Sequence, residues 1–321
     1  MTNTKIKTIN KVLIIRYSAI GDIILTTPVA RWIKLQLNAE VHFLTDVKNA
    51  QLLSNNIYID KIIPSSNSVI RDRSIIVKEE YSLIIDLHKS RRSRLTTLFL
   101  SVPVISFDKL NVKKWLAVNF KLDLLPNKHL VDRYADSLKP IGVINDGNGL
   151  DYFLPESIRV PNLPTLYHVL ILGAAHFTKR IPITKCLEVI KESKIPVVLI
   201  GGKDVAEMAQ TLANEPNALD FINKLSIDQS AYVLSKAQTI VTGDTGMMHI
   251  AAALKKPIVI LWGNTTPKFG MYPYYGDNNN IDYISKEVIL SCRPCSKIGY
   301  KRCPKGHHKC MNDQAIEGLF D

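Results

Sequence analysis

One turn constrains the fold more than any other stretch of this chain. Ile240-Val241 closes an apolar run, Thr242-Gly243-Asp244-Thr245-Gly246 is small and polar, and Met247–Leu254 has helical spacing. A second apolar run, Pro257-Ile258-Val259-Ile260-Leu261-Trp262, follows. Strand, tight turn, helix, strand is the unit of a parallel sheet, whose crossovers cover its faces. A turn at the carboxyl end of such a strand, feeding a helix N-terminus, is also a ready anion site, because free amides and the positive end of the helix dipole meet there. Thr245 and Gly246 stand where a phosphate would approach, and Gly246 lets the backbone come close. The competing reading is that Asp244 or Thr245 merely caps the helix.

The same design recurs. Lys11–Arg16 is a strand-like run followed by Tyr17-Ser18-Ala19-Ile20-Gly21-Asp22, and Tyr167–Leu172 is followed by Gly173-Ala174-Ala175-His176-Phe177-Thr178-Lys179-Arg180. Further strands are expected at residues 41–45, 61–63, 83–87 and 104–107, then at 196–200, 239–241 and 257–261. Helices fit 29–37, 49–53, 184–193, 204–213, 229–235 and 247–254. Thr27 followed by Pro28 reads as a helix N-cap and first helical position. This alternation predicts an α/β chain of two Rossmann-like halves. An Asn/Gly run at 145–149 followed by Pro155, Pro161 and Pro164 marks the join. The expected division is residues 1–150, a linker at 151–165, and 166–321.

Composition bounds the partners. Lys and Arg exceed Asp and Glu by 12, and hydrophobic residues make up 46%. A large core and an acidic partner are implied: nucleic acid, an anionic membrane, or a phosphorylated substrate. The first eleven residues are polar and no apolar run spans a bilayer, so a cytoplasmic protein with at most peripheral membrane contact is expected. Cys186 reads as a small core residue. Cys292, Cys295, Cys303 and Cys310 crowd one segment with His307 and His308, which suggests a local staple, a structural zinc or two disulfides.

In this order, the Ser18-x-x-Gly21-Asp22 turn, the Thr178-Lys179 turn, the Asp244-Thr245-Gly246-x-x-His249-x-Ala251-Ala252 element and the Cys-rich end resemble glycosyltransferase family 9, the heptosyltransferases of lipopolysaccharide core assembly. The resemblance runs from Lys11 to about Met311. It implies a GT-B architecture, two Rossmann-like domains with an interdomain cleft, and transfer with inversion that needs neither metal nor cofactor. Asp22 would then be the general base that takes the acceptor hydroxyl's proton. Lys179 would stabilise the departing diphosphate. Thr178, Gly201, Gly202, Asp244, Thr245, Gly246 and His249 would complete the donor site. A carboxylate beside a diphosphate is repelled, so Asp244 more plausibly caps the turn or meets a sugar hydroxyl, and His249 has core packing as its alternative. Asp204 or Glu207 would hold ribose. Lys89, Arg91 and Arg92 would bind acidic groups of the acceptor, although a basic run is often only a solvated face.

The implied partners are an ADP-sugar donor, a phosphorylated lipopolysaccharide-type acceptor and an anionic membrane. A different nucleotide sugar or envelope glycan on the same fold stays open. A basic nucleic-acid-binding protein with a zinc knuckle is disfavoured, because the cations are scattered and aromatic residues are only 7%, with no stacking array. A nicotinamide oxidoreductase is disfavoured because no G-x-G-x-x-G follows the first strand.

Overall fold

Val12, Leu13, Ile14 and Ile15 are all fully buried, which a strand achieves only when helices cover both faces of its sheet. The computed structural model describes residues 9–160, 162–278 and 280–320. The start of the chain, residues 1–8, and Pro161 of the expected linker lie outside them.

The first half runs β1 (Lys11–Ile15), α1 (Ile20–Ile24), α2 (Thr27–Leu37), β2 (Glu40–Asp46), β3 (Lys61–Ser65), α3 (Val69–Lys78), β4 (Leu83–Asp86), α4 (Arg91–Thr97), β5 (Val104–Ser106), α5 (Asn111–Phe120) and α6 (Leu130–Leu138). The second runs β6 (His168–Ile171), α7 (Ile183–Glu192), β7 (Val197–Ile200), α8 (Ala206–Leu212), β8 (Ala218–Asp220), α9 (Ile227–Lys236), β9 (Ile240–Thr242), α10 (Gly246–Ala253), β10 (Ile258–Trp262), β11 (Tyr283–Glu287) and α11 (Lys309–Asn312).

One sheet has the order β3-β2-β1-β4-β5 and the other β11-β10-β9-β6-β7-β8. The pairings within both are parallel. Each sheet winds outward in one direction, then returns to its middle and winds the other way. The reversal falls between β1 and β4, where Ile15 pairs with Asp86, and between β6 and β9, where Ile171 pairs with Thr242. Open α/β sheets bind ligands beyond the carboxyl ends of the strands at such a switch point.

The chain divides into two compact units. One comprises residues 1–109 and 131–153, the other 110–130 and 154–321. Residues 110–130, α5 included, thus cluster with the second unit rather than the first. The Asn/Gly run near 145–149, read as part of the join, is instead tied into the first unit. Buried Arg31 donates to Asp146 Oδ2 at 2.7 Å and Oδ1 at 3.0 Å and to the Gly149 carbonyl at 2.8 Å, and pairs with Asp151. Burial works against the charge of Asp146, but the Arg31 guanidinium holds its carboxyl below the usual range.

Strand expectations agree best where the run is continuously apolar. The missed strands β8 and β11 are edges of their sheet, and the exposed positions of Tyr-Ile-Ser-Lys-Glu carry no apolar period. The α2 cap lies one residue earlier than expected: Thr26 precedes the helix and Thr27-Pro28 are its first two positions. The expected helix at 49–53 is a 3-10 segment, Val47–Leu53. Among the described residues no helix is long and apolar enough to cross a membrane.

Candidate active site

In the second unit, the turn after β6 ends in a 3-10 segment, Phe177–Lys179, and that after β9 ends at Thr245, the N-cap of α10. The β6/β9 pairing brings these turns together. Lys179 Nζ lies 2.6 Å from Asp244 Oδ2, and the Thr265 hydroxyl donates to the same oxygen at 2.7 Å. Burial opposes the Asp244 charge; Lys179, with help from Thr265 and nearby His249, outweighs it and holds the carboxyl below its ordinary value. Thr245 Oγ1 accepts from the Met248 amide at 3.3 Å. The amides of Gly246 and Met247 stand in the same first turn, where a helix offers no partner within itself. The result is a cation, its aiming carboxylate and a helix N-terminus at one switch point.

Not every predicted donor residue faces this site. Thr178 is buried, and its hydroxyl accepts from the Tyr300 amide at 2.8 Å, so it anchors the turn rather than meeting a ligand. Gly201 is required by packing, since a Cβ there would stand 2.5 Å from Val205 Cγ2. Gly202 is more open: its Cβ would meet only Asp204 Oδ1, at 3.0 Å. Asp204 is held by Arg180 at 3.0 Å. His249 is buried on α10, near enough to Asp244 to help hold its carboxyl down. Gly243 permits a close approach, because a Cβ would meet the Lys179 carbonyl at 2.5 Å.

In the first unit, Asp22 is the third residue of α1. Its Oδ1 lies 2.6 Å from Arg16 Nη2, and its Oδ2 accepts weakly from the Ala19 amide at 3.4 Å. Arg16 also donates to the Ser18 carbonyl at 2.8 Å and to the Leu87 carbonyl at 2.5 Å. One buried guanidinium thus ties the β1 turn to the β4 turn. Burial disfavours its charge, and Asp22, with Tyr134 and Asp86, more than compensates. His88 is pushed down to about 4, first by burial and then by Arg16 and Lys109. Lys109 lies below the ordinary lysine value from burial and the nearby Arg16. The Tyr134 hydroxyl is buried in the same charge environment.

Arg16, His88, Lys109 and Tyr134 were not singled out from the sequence. The available signal was an Arg and a His at the ends of two apolar runs. Of the acceptor-side cations, Arg92 is committed internally. It pairs with Asp46 at 2.7 Å and Asp72 at 3.4 Å, bonds Ser65 and Asn67, and lies 3.5 Å over the Tyr17 ring. Lys89 donates to the Phe107 carbonyl at 2.6 Å. Arg91, at the start of α4, is exposed.

All five cysteines are free, and among the described residues no three His, Cys, Asp or Glu are arranged to hold a metal. Cys292 Sγ and His307 Nε2 are 4.0 Å apart. Arg293 fixes the Cys-rich segment, donating to the carbonyls of Gly263 at 2.7 Å, Val288 at 2.7 Å and Thr265 at 2.8 Å.

Two parallel α/β units with switch-point sites of this kind are the GT-B architecture of glycosyltransferases. Residues 73–301 match glycosyltransferase family 9 (heptosyltransferase), and the chain belongs to that family. It is 26% identical over 291 residues to lipopolysaccharide heptosyltransferase 1 of Campylobacter coli, covering 79% of this chain and 84% of that protein. Its fold matches a family 9 glycosyltransferase from Veillonella parvula with a TM-score of 0.71 at 20% identity, covering 90% of each chain. It matches the E. coli heptosyltransferase WaaC solved with ADP at 0.62 and 23% identity, covering 86% and 93%.

Proposed function

We propose that this glycosyltransferase moves heptose from ADP-heptose onto a phosphorylated, lipopolysaccharide-type core acceptor with inversion, at the cytosolic face of a membrane. The observation that carries the reading is the Lys179–Asp244–Thr265 cluster at the β6/β9 switch point, beside the first turn of α10. A nucleoside diphosphate leaves carrying negative charge, and a held ammonium with helix amides stabilises that charge without moving a proton. Asp22 takes the acceptor hydroxyl's proton as its oxygen bonds to the anomeric carbon and the bond to the diphosphate breaks. Arg16 orients the carboxylate. Gly202 leaves room for the nucleoside, and Arg91 with Lys109 offers cations to acidic groups of the acceptor. Incubation with ADP-heptose and candidate lipid-linked acceptors tests this by mass analysis of products. One added heptose and released ADP are expected; no transfer with any such acceptor, or transfer with retention, overturns the reading.

A further inference from the structure

Trp115, Phe120, Leu122, Leu124 and Ile289 are all exposed in one part of the second unit. Trp115 is 51% exposed, Phe120 60% and Ile289 98%. Exposed apolar residues are unremarkable when single, but a cluster marks a contact surface. On α5, Val112 and Trp115 share a helix face, three residues apart. The Trp115 and Phe120 rings meet edge-on at 5.3 Å. Leu122 and Ile289 line one cavity of about 320 Å3, together with Ala117, Lys121 and Glu287, so Ile289 lies beside the segment that follows the helix. The cavity side of the segment is anchored: Ala117 is buried, and Lys121 Nζ donates to the carbonyls of Cys292 at 3.0 Å and Pro294 at 2.8 Å. Trp115, two residues from Ala117 on α5, stands on another face of the helix and is held outward.

The charge around this surface is positive. Lys113 is exposed, Lys114 lies 5.6 Å over the Phe269 ring, and the carboxylate of Asp123 is paired with Lys268 at 2.5 Å. Trp and Phe among lysines, on a short helix with its polar anchor behind it, suit the headgroup region of a bilayer. Rings sit at the water–acyl boundary, and cations meet lipid phosphates.

We propose that the segment 111–124, with Ile289 beside it, docks on an anionic phospholipid bilayer. It deepens the proposed reaction, which would use a lipid-borne acceptor, but its test requires no sugar transfer. Trp32 and Trp262 are fully buried, so Trp115 is the tryptophan whose emission lipid can change. Titration of the full chain with phosphatidylglycerol vesicles should shift the emission to the blue, and phosphatidylcholine vesicles should not. Trp115→Ser with Phe120→Ser should lower vesicle co-sedimentation roughly tenfold or more, by analogy with interfacial anchors whose binding follows buried apolar area. Lys113→Glu should weaken binding roughly tenfold through charge alone, and retained circular dichroism would show that the variants fold. Vesicle binding with unmoved Trp115 emission, or undiminished binding of the double variant, overturns the proposal. So does a blue shift that follows protein concentration without lipid, with a dimer mass, since a second copy would then cover the surface.

Discussion

Lys179 Nζ and Asp244 Oδ2 form a 2.6 Å ion pair across two turns of the second sheet. A carboxylate at a diphosphate site would be repulsive alone, and in the proposed reaction its pairing with Lys179 offsets that repulsion. Asp244, oriented by Thr265, cancels locally and aims the ammonium. Lys179→Ala should lower kcat/KM by about 10²–10³-fold, as loss of an electrostatic donor does, and weaken ADP binding. Steady-state kinetics and ADP calorimetry check this, and near-normal values in both would remove Lys179 from the site.

The Arg16–Asp22 pair sharpens the expectation for the proposed base. Asn keeps the size of Asp but cannot accept the proton. Asp22→Asn should cut transfer by roughly 10²–10⁴-fold while ADP binding in the other unit is unaffected. It should also cost about 1–3 kcal/mol of stability, because buried Arg16 loses its compensating charge. Transfer at the wild-type rate would place the base elsewhere.

His88 gives stability a pH dependence. Its ordinary value near 6.5 is lowered to about 4 in the fold by burial and neighbouring cations. Above pH 6.5 it is neutral folded or unfolded, and its contribution is complete. As pH falls from 6.5 toward 4, the unfolded chain binds the proton more readily, and stability drops by on the order of 1–3 kcal/mol. His88→Gln should flatten that part of the curve in urea unfolding at stepped pH. An unchanged slope would mean that His88 titrates normally.

Arg31 should be a large single contributor to the first unit. Arg31→Met leaves Asp146 and Asp151 without their buried partner and should cost about 3–5 kcal/mol, read as a lower urea midpoint. A loss below about 1 kcal/mol, typical of surface pairs, would mean that solvent replaces it.

The two glycines after β7 separate packing from binding. Gly201→Ala forces a Cβ against Val205 and should destabilise by about 1–3 kcal/mol. Gly202→Ala meets only the movable Asp204 carboxylate, so it should fold normally yet weaken ADP binding. Equal behaviour of the two variants would refute the distinction.

Continuous apolar runs such as Val12–Ile15 and Ile258–Trp262 fit strands buried on both faces, and their alternation with helical segments determined the expectation of two parallel sheets. The candidate residues lie in the turns after β1, β6 and β9, where Gly, Asp, Thr and Lys fit a helix cap as well as an anion site. Which side chains would face a ligand was not legible, since partners far apart in sequence settle it. Thr178 is turned toward Tyr300, Arg92 is drawn onto Tyr17, Asp46 and Asp72, and Arg16 reaches across to Leu87 and Asp22. The assignment of residues 110–130 to the second unit and the hold of Arg31 on 145–151 likewise rest on long-range pairs. A local pattern reports the period of burial, whereas the destination of a buried charge depends on whichever opposite charge the folded chain brings within reach, and only the tertiary structure decides that.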